Sequence, residues 1–142
     1  MIEWYGDEAL KKIAEAAKTA VFRGTELVHE TGTQKILSGP ATGKVYKRRG
    51  VEHQASAPGE APASDTGNLA QDSETEYTTD GLTGSAVWRA IYAARLENGF
   101  TGTDSQGRAY NMEPRPFALP SLVEKKNEID GFFEAELKAV LS

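Results

Sequence analysis

The stretch that most suggests phosphate chemistry is Gly39-Pro-Ala-Thr-Gly43-Lys44. Glycines beside a lysine cradle phosphate when they lead into a helix, whose N-terminal amides and dipole complete the site. Here the spacing is one residue too short, and Val45 stands where Ser or Thr would bind magnesium. The residues that follow read as a strand, so the stretch is a Gly-Pro loop. His29 and His53 are the only histidines, and neither has a second ligand at helical or hairpin spacing. A metal site needs three or four placed donors. Cysteine is absent, which excludes disulfides, zinc fingers and thiol catalysis. Serines and aspartates are plentiful, but a nucleophile is defined by its base and orienting group. No catalytic residue, metal ligand or cofactor is nominated, and no enzymatic activity is expected.

One cluster of charge stands out: Lys44, Lys47, Arg48 and Arg49. Such charge protects an exposed edge strand from unwanted pairing. It also suits a phosphate-facing patch, in which four cations on an extended hairpin line a channel carrying DNA. Strand alternation puts Lys47 and Arg49 on one face and Arg48 on the other, which fits a protruding tip better than a flat surface. The whole chain has a net charge of -5, so any DNA contact has to be local. A small nucleic-acid-binding module built on residues 44–49 is the alternative reading.

The elements that would position this cluster follow from periodicity. At 142 residues the chain suits one domain, with an arm or hairpin region over about 39–66. Mean hydropathy of -0.50 fits long solvated loops, or surface buried only on assembly. The N-terminus carries Glu3 and Asp7 and lacks a basic segment followed by an apolar run, so no signal peptide is expected. No stretch approaches the roughly 18 apolar residues of a membrane span. A soluble chain, intracellular when made, is the expectation.

Leu10, Ile13, Ala14, Ala17, Val21 and Val28 predict an amphipathic helix over 7–37. Gly24 shares its stripe, and Gly32 weakens the last turns. Residues 44–49 and 51–57 predict a hairpin around Gly50. In the stretch from His53 to Leu69, Pro58, Gly59 and Pro62 fix a bent, extended backbone, and Asp65, Thr66 and Gly67 form a turn. One helical turn is expected over 66–71. Asp80-Gly81 signals a second hairpin between 74–79 and 85–91. A short helix over 92–98 is closed by Gly99. The Gly-, Thr- and Ser-rich residues 101–108 predict a mobile loop. Pro120 and an S-x-x-E capping box, Ser121 with Glu124, predict the start of a last helix. Leu122, Ile129, Phe133, Leu137 and Val140 form its buried face, and Gly131 is either a packing contact or a weak point. The sum is an α+β domain: two long helices packed on a small antiparallel sheet, with an extended hairpin and loop arm.

Four segments in order carry a resemblance: K-V-Y-K-R-R-G from Lys44, A-P-G-E-A-P-A-S-D-T-G-N-L from Ala57, Y-A-A-R-L-E-N-G from Tyr92, and R-P-F-A-L-P-S-L from Arg115. Together they resemble the neck and tail-completion (head-tail joining) proteins of long-tailed bacteriophages, over most of residues 7–142. Asn68 and Ala70 replace basic residues frequent in that family's D-T-G-R-L-R. Asn98 and Phe100 depart from its E-F-G-T, and residues 71–85 lack clear strand alternation. The resemblance implies a structural virion protein, made in the host cytoplasm, that forms a ring around the DNA path at the head-tail junction. It implies a homo-oligomer, a hexamer by the six-fold habit of long tails, that contacts head-closure, tail-terminator or tail-tube proteins. Lys44, Lys47, Arg48 and Arg49 become the candidate DNA-lumen or partner contact. His53, Pro58, Gly59, Pro62, Asp65, Thr66 and Gly67 become the candidate intersubunit arm. Arg95 and Glu97 are a candidate interface pair, and Arg115, Pro116 and Phe117 the entry to the last helix.

Overall fold

The computed structural model describes residues 3–63, 67–103 and 105–141. In chain order the elements are α1 (Gly6–Ser38), β1 (Val45–Arg48), β2 (Val51–Gln54), α2 (Asn68–Gln71), β3 (Ser73–Tyr77), β4 (Gly84–Trp88), α3 (Ala93–Asn98), β5 (Phe100–Thr103), β6 (Ala109–Met112) and α4 (Ala118–Leu141). The fold is α+β, and its antiparallel pairing is divided among three two-stranded hairpins rather than one sheet.

The frame is the pair of long helices. α1 has 33 residues, about 50 Å of helix at 1.5 Å per residue. Its neighbours on α4 run backwards along the chain: Arg23 pairs with Glu136 at 2.9 Å and Lys35 with Glu124 at 2.6 Å. The helices are therefore antiparallel. Their seam is made of small residues. Ala16, Ala20, Gly24, Gly32 and Ile36 are the buried positions of α1, at the four-residue spacing that keeps them in one row. A Cβ on Gly24 would lie 3.1 Å from Ile129 Cγ2. This corrects the expected stripe: Leu10 is exposed, and Ile13, Ala14, Ala17, Val21 and Val28 are only half-buried. Close approach is made by the small side chains, so the larger ones flank the seam instead of filling it.

α1 also runs to Ser38 without loss at Gly32. The Trp88 ring occupies the space a side chain there would need, with Cζ2 2.6 Å from the position of an added Cβ. The helix propensity lost at Gly32 is recovered as aromatic packing.

The β3–β4 hairpin lies on α1 in the register Ser73↔Trp88 to Tyr77↔Gly84. Its alternation is hidden because its inward residues are polar. Thr75 Oγ1 and Tyr77 OH both donate to Glu26 Oε1 at 2.7 Å, and Ser73 Oγ meets His29 Nε2 at 2.9 Å. The Thr75 hydroxyl, then that of Tyr77, holds the Glu26 carboxyl below the usual glutamate range, while burial, then the bond to Glu26, raises the Tyr77 phenol.

The hydrophobic core sits where the C-terminal end of α1 meets α2, α3 and the start of α4. Ile36, Leu69, Ala70, Ala93 and Phe117 form it, with Trp88 packed edge-on against Phe117 at 5.1 Å between centroids. Residues 101–108 correct an expectation. β5 and β6 pair from Phe100↔Met112 to Thr103↔Ala109, and the Arg95 guanidinium covers the Phe100 ring at 4.1 Å. Thr and Gly carry no apolar alternation, so this hairpin is invisible to a hydrophobic pattern.

The entry to α4 also differs from expectation. Ser121 lies inside the helix, fully buried, and its hydroxyl donates to the Phe117 carbonyl, while Glu124 is taken by Lys35. The helix begins a turn earlier, at Ala118, with Pro120 in its first turn, where no amide is required. Of the expected buried face, Ile129, Phe133, Leu137 and Val140 are half-buried and Leu122 is exposed.

Candidate assembly interface

The basic cluster sits on the β1–β2 hairpin, whose strands pair from Val45↔Gln54 to Arg48↔Val51. Every residue of the two strands is exposed except the half-buried His53. The turn consists of Arg49 and Gly50, with φ of 52° and 79°. Positive φ at both central residues matches the right-handed twist of a tight hairpin. Arg49 therefore occupies the tip rather than a strand, and the alternation that placed it beside Lys47 does not reach it. Lys44 lies just before β1, where its carbonyl accepts the Ala55 amide at 3.0 Å. The pairing register puts Tyr46, Arg48, Val51 and His53 on one face and Val45, Lys47 and Glu52 on the other. The first face turns toward the body: Tyr46 and His53 stack at 5.6 Å and, with Arg48, Leu96 and Arg115, line a cavity of about 390 Å³. The second face and the tip point away.

Both feet of the hairpin are fastened by Glu60. Its carboxylate accepts the Thr42 hydroxyl at 2.6 Å, the Ala57 amide at 2.8 Å and the Thr42 amide at 3.1 Å. These bonds, the Thr42 hydroxyl foremost, hold the group below the usual glutamate range. Nothing in the sequence singles out Glu60, because its partners lie on opposite sides of the hairpin and only the fold brings them together.

Of the stretch from His53 to Leu69, the described residues 53–63 and 67–69 touch the body at several points. Ser56 and Pro62 are buried, Leu69 belongs to the core, and the Gly59 amide donates to the Pro114 carbonyl at 3.0 Å. Pro58 and Gly59 are exposed, and Gly59 has the φ of 85° that favours glycine. Gly67 adopts a φ of 79° just before α2. Asp65 and Thr66, named for the expected turn, lie outside the described residues. The exposed segment beside it is the β1–β2 hairpin, whose second strand includes His53.

Arg115 links the stretch to the rest. Its Nε donates to the Ser56 carbonyl at 3.2 Å, and its amide donates to the Leu96 carbonyl at 2.6 Å. Pro116 is half-buried and Phe117 is in the core. Arg95 and Glu97 do not pair. Arg95 covers Phe100, whereas the Glu97 carboxylate accepts the amides of Phe117, Ala118 and Leu119 at 2.8, 3.0 and 2.8 Å. A helix start leaves its first amides without partners and favours negative charge. Glu97 supplies both needs for α4 from a separate element, so its carboxylate is committed within the chain.

Between α1, α4 and the β3–β4 hairpin runs an open apolar groove of about 670 Å³, with Val21, Val28, Leu82, Leu119, Leu122 and Phe133 on its walls. It exists because the small-residue seam holds the helices close and leaves their larger apolar side chains on the flank. Among the described residues no group of three or more His, Asp or Glu is placed to hold a metal ion. No helix is long and apolar enough to cross a membrane, the search covering the described residues. The chain matches no protein-family model, no curated protein and no solved structure.

Proposed function

We propose that this chain is a non-enzymatic structural protein of a tailed-phage virion that assembles as a ring around the DNA path at the head-tail junction. One observation carries the reading. The three motif segments after the basic hairpin, far apart in sequence, converge on one junction: Gly59 on Pro114, Arg115 on Ser56 and Leu96, and Glu97 on the amides from Phe117 to Leu119. Residues quoted for a resemblance gain weight when they support one another in space, because the pattern then describes a built unit. The unit fixes the base from which the basic hairpin projects.

In this reading the hairpin tip meets the DNA path or a neighbouring subunit, and the open groove is surface available for burial on assembly. A head-to-tail contact closes into a ring when its rotation divides the circle, and six-fold symmetry is the order the resemblance implies. The groove suits this use, since contiguous exposed apolar surface marks interaction sites. Native mass spectrometry of the purified protein, with protein identification in purified particles, tests the reading. A ring and a virion-borne chain are expected; a strict monomer absent from particles overturns it.

The exposed cations Lys44, Lys47 and Arg49 also support a second reading, a small nucleic-acid-binding module. It predicts DNA affinity in the isolated monomer, falling by about one log unit per phosphate contact for each tenfold rise in salt. Alanine at Lys47, Arg48 and Arg49 separates the two: lost binding with unchanged assembly favours the module.

A further inference from the structure

Two hairpins of this chain carry opposite and equal charge, and both present an uncovered face. Residues 44–52 hold Lys44, Lys47, Arg48 and Arg49 against Glu52, a net charge of +3. Residues 72–89 hold Asp72, Glu74, Glu76 and Asp80 against Arg89, a net charge of -3. In the basic hairpin, Lys47 lies on the face turned away from the body and Arg49 at the tip. Neither they nor Lys44 has an ion-pair partner among the described residues. In the acidic hairpin, Ser73, Thr75 and Tyr77 are used against α1, so Glu74 and Glu76 occupy the opposite, exposed face. Arg89 bridges Glu74 and Glu76 and offsets only one of their charges.

We infer that the β1–β2 hairpin of one copy docks on the outward face of the β3–β4 hairpin of the next. The inference rests on the ring reading and specifies its contact. The two surfaces are different patches of one chain, so the contact is head-to-tail, the kind that propagates from copy to copy until it closes. Opposite potentials fix its register and speed encounter, while like-charged approaches are disfavoured. Two-stranded hairpins are marginal alone, so docking also stabilises the projecting one.

The test inverts each patch. One variant is K47E/R49E. The other is E74K/E76K, which takes residues 72–89 from a net charge of -3 to +1, as K47E/R49E takes residues 44–52 from +3 to -1. Oligomer formation is followed by light scattering on a sizing column at low and high salt, with circular dichroism to verify folding. Each variant alone is expected to weaken assembly roughly tenfold or more. An equimolar mixture of the two is expected to regain it, because each then offers the other a matching contact. Wild-type assembly is expected to weaken as salt rises, since exposed charges are screened within about 10 Å at 0.1 M. Folded variants that assemble like the wild type, or a mixture that stays apart, overturn this contact and leave the ring reading standing. A wild-type chain that is monomeric at low salt and absent from particles overturns both.

Discussion

Glu97, near the end of α3, caps the helix that Phe117 leads into: its Oε2 accepts the Phe117 amide at 2.8 Å. The same carboxylate takes the next two amides, and Pro120 has none to offer. The first turn of α4 is thereby satisfied by one side chain 20 residues away in sequence from Phe117. Because Phe117 is also the anchor of the core, the cap sets both where α4 begins and how it meets the rest of the chain.

Replacing Glu97 with Ala removes three acceptor contacts and a charge suited to the helix dipole. A loss of about 1–2 kcal/mol is expected from equilibrium urea unfolding. Glu97→Gln keeps one acceptor oxygen and loses the charge, so it is expected to fall between the two. Serine at position 121 has no part in this cap, and Glu124→Ala is expected to cost less than Glu97→Ala.

The glycines of the two long helices are expected to respond in opposite directions. A Cβ at Gly131 meets nothing within 4 Å, whereas one at Gly32 meets the Trp88 ring at 2.6 Å. Gly131→Ala is therefore expected to stabilise the chain by about 0.5–1 kcal/mol, by helix propensity and a less free unfolded state. Gly32→Ala is expected to destabilise it by about 1–3 kcal/mol, through overpacking. Thermal melts of the two variants compare them directly.

Acid is expected to loosen the hairpin contacts in a defined window. The Glu26 and Glu60 carboxyls titrate below their ordinary value in the folded chain. Their contribution is complete above the unfolded glutamate value, about 4.3, and fades as pH falls from there through the folded value. Urea midpoints measured from roughly pH 6 to 3 are expected to drop mainly below that value. Glu26→Gln and Glu60→Gln are each expected to flatten the decline.

What was legible in the sequence follows physical lines. Elements with strong periodicity or turn chemistry were found: both long helices, the turn at Asp80-Gly81, and the short helix closed by Gly99, whose φ is 79°. The β5–β6 hairpin reads as a loop, because residues 101–108 are rich in Thr, Gly and Ser. β3 is located by the turn at Asp80-Gly81 rather than by alternation, since its inward face is Ser, Thr and Tyr. The helix seam differs from the apolar stripe because Ala16, Ala20 and Gly24, not the large apolar residues, hold its buried row. The caps and braces made by Glu97 and Glu60 depend on contacts across distant or opposing segments, and no local spacing announces them. The S-x-x-E match at Ser121 had the right letters one turn too late.

The central claim is that this chain forms a ring at the head-tail junction, with its basic hairpin as a contact. Imaging an intact particle at residue resolution tests it most directly. The account predicts a closed ring of this chain between head and tail, with residues 44–50 reaching the DNA path or the adjacent copy. A particle whose junction contains no copy of the chain would contradict it.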